Sequence, residues 1–103
     1  MWQEDWQENL DKYRQEIDKI DYEFLELLTK RMECSEKIGD IKSQHDLPVY
    51  VPERERRIIA TRQQWGKKYG LASKFVRVLF KIIMWQSKEL QGKLIEKDKV
   101  YAG

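Results

Sequence analysis

Cysteine and histidine are almost absent from this chain, which has one of each, Cys34 and His45. No intrachain disulfide can form, and two such residues are too few for a metal-ligand cluster. No metal and no cofactor are expected. A lone thiol suits a reducing compartment, so the cytoplasm is the expected location. Glycine and proline are scarce too, five and two in 103 residues, and little interrupts helix formation. No apolar run approaches about 18 residues, which excludes a helical membrane span. Net charge is only +2, with acidic and basic residues interleaved. A nucleic-acid binder would need a segregated basic face. The opening Met1-Trp2-Gln3-Glu4-Asp5 has no basic stretch leading into an apolar one, so no secretory signal is expected.

Charged residues are plentiful, 37% of the chain against 41% hydrophobic. These proportions predict one all-α domain over residues 1–103, with a modest core of its own. From Leu10 to Ile41 the apolar residues follow a heptad. One column reads Leu10, Ile17, Phe24, Arg31, Ile38; its partner reads Tyr13, Ile20, Leu27, Cys34, Ile41. That is the seam of a long amphipathic helix, and Arg31 stands where a leucine belongs. An unpaired guanidinium buried in such a seam is costly. Arg31 either reaches solvent or meets an anion inside. Cys34 reads as core.

Three helices are expected. The first runs from about Asn9, taken as its cap, to about Gln44, roughly 50 Å at ~1.5 Å per residue. Two shorter helices of the same chain cannot cover so long a stripe, so a partner chain is expected. The segment His45–Val51 breaks the helix, with Leu47 biased to extended geometry by Pro48. Pro52 and Glu53 suit the first turn of a second helix. It ends near Tyr69, with Gly70 as the stop. Ser73 is the expected cap of the third helix, which carries Val76, Leu79, Phe80, Ile83, Leu90 and Leu94 on one side. Residues 1–8 and 97–103 are expected to fray. Trp2 and Trp6, one turn apart, either extend the first helix or meet a partner.

Polar residues intrude on these apolar faces. Arg14 and Lys42 flank the seam. Arg14 and Arg31 are about 25 Å apart on a straight helix, too far to hold one small ligand. Arg31 and Lys42, about 16 Å apart, can close on a small anion from both ends. Arg14 must then serve another site, or the same site in a partner, as an antiparallel pairing of long helices would allow. On the third helix Ser87 and Gln91 share a face with Val76, Phe80 and Ile83. Arg54 and Glu55 open the second helix near the end of the first. A basic cavity with one acidic group suits a polycarboxylate that also carries a hydroxyl. Taken singly, each of these residues is a solvated side chain or an ion-pair partner, and Asp18 and Asp21 read as surface groups. The functional reading rests on their number and compatible spacing.

The run Leu10-Asp11-Lys12-Tyr13-Arg14-Gln15-Glu16-Ile17-Asp18-Lys19-Ile20-Asp21 resembles the opening of the all-helical chorismate mutases. So do Leu25-Glu26-Leu27-Leu28-Thr29-Lys30-Arg31-Met32, Ile38-Gly39-Asp40-Ile41-Lys42, Pro52-Glu53-Arg54-Glu55 and the Ser87-to-Gln91 spacing, in one register over about residues 10–94. The resemblance implies an intertwined helical homodimer with two sites, each built from both chains. It implies conversion of chorismate to prephenate on the route to phenylalanine and tyrosine. It also implies roles: Arg31, and Arg14 from the partner chain, hold two carboxylates, assisted by Arg54 and Ser87. Lys42 and Gln91 bond the ether oxygen, and Glu55 accepts from the ring hydroxyl.

One position departs from the pattern. Many of these mutases carry an aspartate where this chain has Val51, so Glu55 is left to act alone and weaker substrate binding is expected. Two other readings stay open. Arg62-Gln63-Gln64-Trp65, Gly70-Leu71, Phe75-Val76 and Ile82-Ile83-Met84-Trp85 also resemble isochorismate–pyruvate lyase, a salicylate-forming enzyme on the same scaffold. Glu55 and Ser87 favour the mutase. A catalytically silent helical dimer, scaffold or regulatory, would gain stability from apolar residues at Arg31, Lys42, Glu55 and Gln91, and it has polar ones.

Overall fold

A computed structural model describes the backbone of residues 2–102 and the side chains of residues 5–92. It contains α1 (Trp2–Gln44), α2 (Pro52–Lys68) and α3 (Ser73–Ala102), with no strand among the described residues. The all-α expectation holds. α1 starts seven residues before Asn9, so Asn9 is not its cap. Trp2–Glu8 contains no helix breaker, and an interior asparagine costs less than about 1 kcal/mol. Residues 2–8 and 97–102, expected to fray, are helical in the described backbone, and the packing of Trp2 and Leu94 concerns side chains outside the described ones. No helix among the described residues is long and apolar enough to cross a membrane.

The chain divides into two compact units, Met1–Arg31 and Met32–Gly103. The first consists of α1 residues up to Arg31, and the rest of α1 belongs to the second. Tyr13, Ile17, Ile20 and Leu27 are each more than half exposed to water, because one helix has nothing of its own to lay against its stripe. In the second unit Ile38 and Ile41 are exposed as well. So is Cys34, which is therefore not core in the single chain. Heptad patterning marks an apolar face without saying what covers it.

The second unit takes its shape from two helix stops. At the end of α1, Asp46 adopts a left-handed φ of 54°, which aspartate tolerates better than most residues. The Leu47 N–H then donates back to the Lys42 carbonyl at 2.8 Å, the bond of a Schellman stop. At the end of α2, Gly70 has φ 76°, and the Leu71 N–H reaches the Gly66 carbonyl at 2.9 Å. Gly70 is the expected stop. Ser73 is not the expected cap, since the Val76 N–H donates to the Ala72 carbonyl and Ser73 is already helical. α2 begins on extended Val51 with Pro52 in its first turn, and carries Glu53 and Glu55 at the start and Lys67 and Lys68 at the end, matching its dipole.

α2 and α3 approach closely at Gly66, where an added Cβ would lie 2.7 Å from Val76 Cγ2. In this unit Ile58, Val76, Ile83 and Met84 are buried. Equally buried are Ser35, Ser87 and Gln91. An interior this small gains nothing from polar groups unless they are hydrogen-bonded, and their concentration here marks a site.

Candidate active site

Lys42 stands in the last turn of α1. Its ammonium donates to the Gln91 side-chain oxygen and to the Val49 backbone carbonyl, each at 2.9 Å. The Schellman stop folds residues 45–51 back so that the Val49 carbonyl meets the lysine. Burial pushes the Lys42 pKa below its ordinary value, and the negative charge of Glu55 opposes this to a smaller degree. Two of the three ammonium donors are thereby held, leaving one to aim elsewhere. Because the Gln91 oxygen accepts from Lys42, the amide nitrogen is the part of that side chain left to donate.

One turn back on α3, the buried Ser87 hydroxyl accepts from Ser35 at 2.9 Å and lies 3.9 Å from Met32 Sδ. On the first turn of α2, Glu55 is ion-paired to Lys88, with 3.0 Å to one carboxylate oxygen and 3.3 Å to the other. Tyr50 lies beneath the ammonium, 4.7 Å from ring centroid to Nζ. Both side chains are partly exposed, so the pair is worth at most about 1 kcal/mol. Its geometric effect matters more, because it fixes the carboxylate. Arg54 is exposed beside it. Arg62, stacked 4.7 Å over Trp65, has its pKa lowered by burial and then by the charge of Arg54.

Of the residues singled out from sequence, Lys42, Glu55, Ser87, Gln91 and Arg54 all belong to the second unit. Lys42 and Gln91 are in direct contact, and Glu55 acts on Lys42 through its charge. Arg14, exposed, and Arg31, half-buried, belong to the first unit. Sequence reasoning missed Ser35, Lys88, Tyr50 and the Val49 carbonyl. Ser35 carried a signal, since it stands seven residues before Lys42 and so on the same face of α1. Lys88 and Glu55 are 33 residues apart, and no local spacing joins them. Among the described residues no group of three or more His, Cys, Asp or Glu could hold a metal ion.

This arrangement places a cation and a neutral amide donor side by side, next to a buried hydroxyl and a fixed carboxylate. The chain is similar to several known proteins. The T-protein of Enterobacter agglomerans is 35% identical over 74 residues, covering 72% of this chain and 20% of that protein. The bifunctional chorismate mutase/prephenate dehydratase of Aquifex aeolicus is 53% identical over 51 residues, covering 50% of this chain and 14% of that protein. The chain thus spans about a fifth or less of the length of these two relatives. The chorismate mutase of Methanocaldococcus jannaschii is 29% identical over 92 residues, 89% of this chain and 93% of that one. The family model of chorismate mutase type II matches residues 13–92, a stretch that includes Lys42, Glu55, Ser87 and Gln91, and with that match the chain belongs to the chorismate mutase type II family.

Proposed function

We propose that this chain is a chorismate mutase that rearranges chorismate to prephenate. The reaction breaks the ether C–O bond and forms a C–C bond within one molecule, with no group gained or lost. Holding the substrate in its compact reactive shape supplies part of the rate. The rest comes from stabilising the negative charge that grows on the ether oxygen. The observation that carries this reading is the Lys42–Gln91 contact of 2.9 Å. It holds a charged donor against a side-chain amide that carries a neutral one, so that a single oxygen could accept from both, and such fixed donors need no reorganisation as charge develops. Glu55 is the acceptor for the ring hydroxyl. Ser87 and Arg54 assist at a carboxylate.

The remaining cations come from Arg31 and from Arg14 of a second copy. The exposed seam of residues 1–31 supports a homodimer, and so does charge. Residues 1–31 carry nine acidic and five basic side chains, while residues 32–103 carry nine and fifteen. The acidic first unit of one copy suits the basic second unit of another. With its lone cysteine the protein is suited to the cytoplasm.

The test is incubation of the purified chain with chorismate and with isochorismate, followed by product identification. Prephenate formation that disappears in Arg31→Ala is the expected result. Salicylate from isochorismate as the sole product would assign the lyase instead. Consumption of neither would leave a silent dimer.

A further inference from the structure

We propose that Ser35 is a positioning residue for this rearrangement, acting through Ser87. Nothing in the reaction chemistry calls for a second serine, yet the two hydroxyls meet at 2.9 Å between α1 and α3, both more than nine-tenths buried. Ser35 donates and Ser87 accepts. This occupies one lone pair of Ser87 Oγ and so excludes that direction for its own O–H. Accepting a hydrogen bond also polarises that O–H and makes it a stronger donor. In the structure the Ser87 hydroxyl reaches Met32 Sδ at 3.9 Å. A thioether is a weak acceptor, readily exchanged for a carboxylate oxygen.

Stability alone does not account for the pair. Replacing both partners of a buried hydrogen bond with apolar groups of similar shape is close to neutral or stabilising. Alanine at both positions would fill the same α1–α3 contact. Placement also favours function: Ser35 is one heptad before Lys42 on α1, and Ser87 is one turn before Gln91 on α3. The serine pair therefore continues the Lys42–Gln91 pair one level along the same two helices, and a substrate touching Gln91 would lie one turn from a hydroxyl whose direction Ser35 restricts.

The proposal rests on the mutase reading, and a double-mutant cycle separates the two. The parent, Ser35→Ala, Ser87→Ala and the double variant are assayed with chorismate, with thermal unfolding measured in parallel. A hydrogen bond of ordinary strength predicts that Ser35→Ala lowers kcat/KM about 3–10-fold when Ser87 is present. In the Ser87→Ala background the same change should have almost no effect on kcat/KM, whatever it does to the unfolding midpoint. Equal losses in both backgrounds, or no loss in the first, would overturn the role of Ser35 while an active parent keeps the mutase reading. An inactive parent would overturn both.

Discussion

Replacing Lys42 by alanine removes one catalytic donor and disturbs a second. Lys42 holds the Gln91 oxygen at 2.9 Å, and that bond decides which way the Gln91 amide faces. Without it the amide can turn, so its N–H is no longer aimed. Losing one preorganised donor to a developing oxyanion costs about 2.7–4 kcal/mol, or roughly 10²–10³ in kcat. Because Gln91 is released as well, the loss for Lys42→Ala should reach the upper end of that range. Stability should change far less. The side chain is only half-buried, and the Val49 carbonyl it leaves belongs to a half-buried residue of the loop between α1 and α2. The assay is the initial rate of chorismate disappearance at saturating substrate, beside circular dichroism and sedimentation to show that fold and assembly persist. A kcat within about threefold of the parent, in a folded protein, would remove Lys42 from the mechanism.

Four further outcomes follow from the same geometry. Burial lowers the Lys42 pKa, and the ammonium is the active form, so activity in a pH series should fall on the alkaline side before an ordinary lysine would titrate. The folded state binds fewer protons than the unfolded state across that window, so this residue's contribution to stability rises with pH there while activity drops; parallel loss of both would contradict the assignment. Gln91→Glu puts an anion beside the ether oxygen and should lose most activity at neutral pH, recovering in acid as the carboxyl protonates; a flat pH profile would sink the idea. Gly66→Ala forces a Cβ to 2.7 Å from Val76 Cγ2 and should cost about 1–3 kcal/mol, read as a lower unfolding midpoint at fixed protein concentration. Val51→Asp supplies a second acceptor near Glu55 and should lower the Michaelis constant with little change in kcat; an unchanged constant would show that Glu55 suffices.

Much of this molecule is legible in its sequence because local rules govern it. Gly70 stops α2 for lack of a Cβ, and Pro52 opens it for lack of an N–H. The heptad of α1 needs no tertiary information. Lys42, Ser87 and Gln91 could be singled out because polar groups on apolar faces cost energy unless something uses them. Asn9 misled because capping residues are also tolerated inside long helices. Cys34 misled because an amphipathic pattern fixes a face, and the single chain leaves that face in water. Ser35 escaped notice since serine costs little wherever it falls; its heptad spacing from Lys42 gains meaning from the 2.9 Å contact with Ser87. The Val49 carbonyl carries no side-chain identity at all, and the Lys88–Glu55 pair depends on how α2 and α3 pack.

The central claim, a mutase site shared between two copies of the chain, can be tested by mixing two crippled variants. Arg14→Ala and Lys42→Ala homodimers should each be nearly inactive on chorismate. Unfolding them together in equal amounts and refolding lets chains reassort at random, so about half of the dimers become mixed. In each mixed dimer one site draws its Lys42 from one chain and its Arg14 from the other, and is intact. Prephenate formation should return to about a quarter of the parent rate, whereas a mixture as inactive as its components would contradict a site shared between two copies.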